Sequence, residues 1–260
     1  MGSRLSRIGA WLDTTPIASL ALALMREATG RNEPLEAVRP TRPERLASAA
    51  RVGFWALGAG VGASTTAALV AQRSAAAGGP PLLADLDRWA PTLALRAAIE
   101  SATILDLLVQ PDRERDLISR WADVAFLPGS PRLHLDFDGA RIGSLLDRLA
   151  AGRALVVDLG SGADALDAAL TARLTRLCVV TGGRASQLQS LFCARDLLRH
   201  VPCAVGLVVV GVEAEDAALI ASRAELPLLA NIPQDEFLAR DDFAARAPTM
   251  RAVDRLITAL

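Results

Sequence analysis

The sequence predicts an α/β fold: a mostly parallel sheet of about seven strands with helices on both faces. Three observations carry this expectation. Short, continuously apolar runs recur from residue 51 onward, amphipathic segments separate them, and the runs end in glycine or acid. Strands that are apolar throughout belong to sheets covered on both faces, and the intervening helices supply the cover.

The first run, Val52–Leu57, is closed by glycines and followed by Ser64–Ala77, which is helical in character. Val52 to Gln72 carries no charge and is long enough to span a bilayer. Gly53, Gly58, Gly60 and Gly62 interrupt it, and each weakens a helix by up to ~1 kcal/mol. Strand, glycine loop and helix is therefore the expected order. Pro81–Asp85 is the second run and Val124–Leu127 the third, closed by Pro128 and Gly129. Ala154–Asp158 is rich in β-branched residues and ends in acid, and Leu177–Thr181, Ala204–Val210 and Leu228–Ile232 complete the set. Ile142–Ala151, Ala185–Arg199 and Ala214–Arg223 are the helices expected between them.

Residues 1–50 read as a separate helical extension and linker, and 51–260 as the main domain. Leu5, Ile8, Trp11 and Leu12 share one helical face, and Pro16 fits the first turn of a second helix running to Ala28. Gly30 to Pro43 is rich in proline and arginine and reads as linker. The start of the chain lacks an apolar secretory stretch, so a cytoplasmic location is expected.

Hydrophobic residues make up 52% of the 260, as in a globular protein, and the net charge is −1. No basic or acidic tail marks a nucleic-acid binder, and nucleic acid is not expected as a partner. All 28 positive residues are arginine, so no step that needs a lysine ammonium is open to this chain. Cys178, Cys193 and Cys203 suit neither a disulfide framework nor a zinc site. Cys178 and Cys203 lie in apolar runs and are expected in the core. His134 and His200 have no spacing to a nucleophile or metal ligand and are expected to be structural, as Asp241 and Asp242 are expected on a solvated face.

The stretch with most chemical content is Gly58-Ala59-Gly60-Val61-Gly62-Ala63-Ser64-Thr65-Thr66. Its glycines permit tight turns in which backbone N–H groups face a phosphate, and the following helix adds its N-terminal partial charge. A phosphate loop also needs a lysine just before the Ser/Thr; here that place holds Ala63, while Ser64 retains a hydroxyl for Mg²⁺. Asp85 and Asp158 fall at strand ends, where ligands of such sheets bind.

These residues resemble the MinD/ParA family of P-loop proteins. Gly58 to Thr66 is similar to its deviant Walker A motif, Lys-Gly-Gly-Val-Gly-Lys-Thr-Thr, with Gly58 in place of the first lysine and Ala63 in place of the second. Pro81 to Asp87 resembles the family's strand ending Asp-x-Asp, which gives Asp85 the catalytic role of positioning the attacking water. Leu155 to Asp158 resembles Walker B, whose acid supports Mg²⁺ through water. Leu226 to Asp235 resembles the late segment that packs near the base, which places Pro233 there. The adenine-reading Asn of the family is replaced by Val210-Gly211. The resemblance covers about 51–260 and implies ATP with Mg²⁺ as cofactor: Gly58, Gly60, Gly62, Ala63, Ser64, Thr65 and Pro233 would contact nucleotide, with Ser64 and Asp158 on the metal. The Gly-Val-Gly-Ala-Ser-Thr form is similar to the TadZ/CpaE-like and septum-site-determining branch, though that branch often has a receiver-like domain in front and fifty residues cannot hold one.

Loss of both lysines and of the adenine Asn argues for weak or absent hydrolysis, since phosphoryl transfer rests on stabilising charge at the phosphates. Arg88 and Arg184 are the arginines considered as substitutes. The expected function is a degenerate spatial organiser or assembly and recruitment factor, a pseudo-ATPase that forms a homodimer. An active ATPase with an unusual phosphate site is the alternative, as is an adaptor that docks a protein partner through its N-terminal helices. The final helix carries an apolar stripe of Met250, Val253, Ile257 and Leu260. Some MinD-like proteins use such a helix for peripheral membrane contact; here Asp254 interrupts it and core packing is expected.

Overall fold

The computed structural model describes residues 43–110, 113, 118–135, 137–238 and 243–260. The expectations for the helices before Pro43 and for Asp241 and Asp242 lie outside these residues.

Eight strands form one sheet: β1 (Arg51–Ala56), β2 (Leu82–Asp85), β3 (Ser119–Trp121), β4 (Val124–Leu127), β5 (Leu155–Ser161), β6 (Arg176–Gly182), β7 (Ala204–Val210) and β8 (Leu228–Ile232). Their order is β3-β4-β2-β5-β1-β6-β7-β8. Every pairing is parallel except that of β3 with β4. Seven of the strands are the apolar runs of the sequence. The eighth, β3, is a three-residue edge, Ser-Arg-Trp, with no apolar run to announce it. Its Trp121 packs against Phe126 and edge-on to Phe243, with ring centroids 5.7 Å and 4.7 Å away.

The helices among the described residues are α1 (Ala63–Ala76), α2 (Leu93–Arg96), α3 (Ile104–Val109), α4 (Gly139–Leu149), α5 (Ala168–Thr171), α6 (Ala185–Cys193), α7 (Arg195–Leu198), α8 (Ala214–Ala224) and α9 (Ala247–Ala259). The helix expected over 185–199 is divided in two at Ala194. Val52 to Gln72 is strand, loop and helix, and no helix of the described residues is long and apolar enough to cross a membrane.

Successive side chains of a strand point to opposite faces, and the two faces bury different clusters. One contains Trp55, Leu155, Val157, Leu177, Val179, Leu207 and Val209, covered by α4, α6 and α8. The other contains Val52, Phe54, Val156, Cys178, Val180 and Val208, covered by α1 and α9. Continuous apolar strands are thus the direct signature of a sheet buried on both sides. The C-terminal stripe takes its place in the second cluster, with Val253 and Ile257 buried and Met250 and Leu260 partly so. Asp254 meets Arg73 of α1: Arg73 Nε and Nη2 donate to its two oxygens at 2.6 and 2.8 Å. Just before β1, Leu46 is buried and its N–H donates to Ser74 Oγ at 3.0 Å, tying this segment to the end of α1.

Candidate functional site

Parallel strands deliver their carboxyl ends to one edge of the sheet, and the β1–α1 loop lies there. Trp55 is fully buried beneath it, its indole N–H donating to Gly162 O at 2.8 Å. Gly62 is the residue at which the loop becomes α1, with φ +97°, a left-handed value that favours glycine. No side chain caps α1, and its first turn contains no acid. The first N–H groups of a helix have no intrahelical acceptor, so the loop presents donors and a positive dipole end to an anion.

A cavity of about 230 Å³ opens above the loop, and Gly58, Gly60, Gly62, Ala63, Ser64 and Thr65 line it. A larger cavity of about 570 Å³ shares Gly60, Gly62 and Thr65 with it and reaches Val210, Gly211, Pro233 and Gln234. The seven residues expected at nucleotide therefore converge on two adjoining cavities, Pro233 on the far wall of the larger. Asp235 is 5% exposed and turned inward, accepting from the backbone of Arg246 at 2.7 Å and from Thr249 Oγ1 at 2.8 Å, which fixes the start of α9 beside this wall.

The acids sit below the smaller cavity. Asp85 and Asp158 are register partners on β2 and β5, and each is 1% exposed. Asp158 accepts from Gly160 N–H at 3.0 Å, and the nearby Ser64 hydroxyl also draws its carboxyl down. Burial nonetheless pushes its carboxyl up to about 6. Asp85 accepts from Asp87 N–H at 3.1 Å and Leu93 N–H at 3.2 Å, and is raised well above the usual carboxylate range by burial and then by the nearby Asp158 charge. Asp85 does not line the cavity; Asp87 does, two residues on. Asp87 Oδ1 in turn accepts from Trp89 N–H and Ala90 N–H, both at 2.9 Å. A Cβ on Gly160, whose φ is +69°, would stand 2.3 Å from Asp87 Cγ, so the β5 end and the Asp87 turn close tightly on each other.

Among the described residues no cluster of three or more His, Cys, Asp or Glu is arranged to hold a metal. Mg²⁺ is commonly held by one or two protein ligands together with substrate phosphates. The adjacent Ser64 hydroxyl and Asp158 carboxylate fit that partial role, with phosphate completing the shell.

Of the two arginines that could stand in for the missing lysines, Arg88 turns away. Its guanidinium lies 3.4 Å from the Phe137 ring centroid and 3.9 Å from Asp164, and it lines neither cavity. Arg184 lines the larger cavity. Arg96, at the end of α2, lines both. Sequence reasoning missed it, because a four-residue helix after a loop gives no periodicity from which to place a side chain.

No protein-family model matches the sequence, and no curated protein sequence does. Solved structures do match. MinD from Pyrococcus horikoshii OT3, a septum site-determining protein complexed with Mg-ADP, superposes with a TM-score of 0.67 at 17% identity, over 80% of this chain and 94% of that one. MinD in the MinC:MinD complex of Aquifex aeolicus gives 0.65 at 13%, over 80% and 94%. The ParA family ATPase from Chlorobium tepidum TLS gives 0.66 at 18%, over 81% and 99%. The chain has the MinD/ParA-like P-loop fold.

Proposed function

We propose that the protein is a nucleotide-binding organiser of the MinD/ParA kind that recruits or positions a protein partner and hydrolyses ATP weakly or not at all. The observation that carries this reading is the loop itself. It has the turn, the uncapped helix and the Ser64–Asp158 pair of a phosphate and Mg²⁺ site, while Gly58 and Ala63 stand where two lysines would act. The Mg-ADP of the Pyrococcus protein and the MinC partner of the Aquifex protein support the two halves of the proposal, ligand and partner.

The chain's own groups account for holding without cleaving. Backbone N–H groups of the loop would orient phosphates, and Ser64 with Asp158 would hold the Mg²⁺ that neutralises part of their charge. Cleavage needs more charge stabilisation as the bond to the leaving group breaks, and one missing preorganised donor lowers rates by about 10²–10³. Asp85 adds little as an orienter of water, being walled off and held protonated more readily than an ordinary carboxyl.

Steady-state phosphate release from ATP, alongside equilibrium binding of ADP and ATP with Mg²⁺, tests the reading. Binding with turnover near background is expected. Turnover of ~1 s⁻¹ or more, within the ordinary enzyme range, would refute the non-hydrolysing organiser, and absence of binding would refute the nucleotide site.

A further inference from the structure

We propose that Arg96 is the phosphate-binding cation of this site, reaching the glycine loop from α2 and supplying the charge that the loop sequence lacks. The proposal rests on the nucleotide reading above and adds the residue that makes it electrostatically workable. Asp87 lines the loop cavity, and the buried Asp158 lies close to Ser64. A diphosphate brought there meets carboxylates with no lysine to offset them. Backbone donors and a helix dipole stabilise an anion, but the dipole amounts to only a partial charge, and a second negative centre at close range opposes it. A full positive charge on the wall reverses that balance.

Arg96 is placed to provide it. Among the residues lining the two cavities, it is the cation common to both, at the seam where they share Gly60, Gly62 and Thr65. Polyphosphate linking a nucleoside in the larger cavity to the loop in the smaller one must cross this seam. The side chain is held in place from two directions: Nη1 donates to Thr65 Oγ1 at 2.9 Å, and the guanidinium packs on the Phe243 ring at 4.4 Å from its centroid. Thr65 is in the first turn of α1, so the hydrogen bond fixes the guanidinium beside the uncapped N–H groups of that helix. A guanidinium presents donors in a planar fork matched to phosphate oxygens, so geometry as well as charge suits a nucleoside di- or triphosphate.

The test is equilibrium binding of ADP, ATP and adenosine to the full chain, comparing wild type with Arg96→Gln, Arg96→Lys and Arg96→Gln/Ala63→Lys. Glutamine retains an N–H for Thr65 without the charge, and thermal melts identify any variant that fails to fold. A hydrogen bond to a charged group is worth about 1.5–3 kcal/mol, or roughly 10–150-fold in affinity. Arg96→Gln is therefore expected to weaken ADP and ATP by at least tenfold while leaving adenosine unchanged. Arg96→Lys should keep part of the affinity, and Ala63→Lys should restore it in the Gln background. Should Arg96→Gln bind ADP as tightly as wild type, the assignment of Arg96 is overturned while the nucleotide site stands. Equal weakening of adenosine and ADP overturns it too, since the loss would then be structural. If wild type binds neither ADP nor ATP, both this inference and the reading it rests on fail.

Discussion

Asp158 shows how one residue ties stability to ligand. Its carboxylate is withdrawn from water, and the Gly160 hydrogen bond and the nearby Ser64 hydroxyl only partly offset the desolvation. An acid whose folded pKa is raised from 3.8 to about 6 binds more protons folded than unfolded across that interval. Stability contributed by the protonated form is complete below the unfolded pKa, falls as pH rises through the interval, and is gone above it. Asp85 is raised in the same direction and adds to the fall. Asp158→Asn should therefore raise the denaturation midpoint at pH 8, flatten its decline between pH 4 and 6, and weaken Mg²⁺-dependent nucleotide binding. Chemical denaturation at a series of pH values checks the first two, and a midpoint at pH 8 equal to or below that of wild type would refute the desolvation account.

Two glycines at this scale separate strain from collision. Gly62 and Gly160 both have positive φ, but a Cβ on Gly62 meets nothing within 4 Å, whereas one on Gly160 runs into Asp87. Gly62→Ala should cost about 1–2 kcal/mol, the left-handed backbone penalty alone. Gly160→Ala should cost more than that, because the Asp87 turn and its hydrogen bonds to Trp89 and Ala90 must also shift. Urea unfolding of the two variants side by side measures the difference.

Among the elements, α1 and α9 hold each other across one face of the sheet, chiefly by burial of apolar side chains and at one point by the Arg73–Asp254 pair. The two side chains are 15% and 10% exposed, so solvent screens them little. Asp254 Oδ1 also lies 3.4 Å from Glu44 N–H, which brings the segment before β1 to the same point. Removing one partner of a buried pair costs about 3–5 kcal/mol because the other charge is left uncompensated, while replacing both with apolar groups is often neutral. Asp254→Ala should lower unfolding free energy by about 3 kcal/mol, and Arg73→Met in the same chain should recover much of it. A double-mutant cycle reads this directly; strict additivity of the two losses would show the pair to be energetically inert.

At the scale of the whole molecule, the sheet and its two helical layers organise the described residues from Pro43 onward. The family resemblance implies, in the place of Gly58, a lysine that reaches across a dimer, and Gly58 has no side chain to do so. A dimer of this chain is therefore expected to rest on protein–protein contacts, and the apolar face of Leu5, Ile8, Trp11 and Leu12 is the best candidate surface outside the main domain. Light scattering of the full chain and of one beginning at Pro43, each with and without ATP, separates the cases. Beginning at Pro43 retains the Glu44 and Leu46 contacts with the domain. Self-association of the full chain without ATP, lost on truncation, is the expected result. A monomer that dimerises only with ATP would refute it.

By itself the sequence determined the fold class, because burial on both faces forces strands to be apolar throughout and their helical cover to be amphipathic. It determined the position of the loop and of Asp85 and Asp158, because strand ends in a parallel sheet fall on one edge. It also determined the absence of lysine, a matter of composition. Only the tertiary structure decided the rest. The edge strand β3 exists because β4 offers it hydrogen bonds, which its own three residues do not advertise. Asp87 rather than Asp85 reaches the cavity because Asp85 is drawn under the Leu93 N–H. Arg96 stands at the loop because the chain after Asp87 folds back over α1 and Phe243 receives its guanidinium, a contact between residues far apart in sequence that no local pattern encodes.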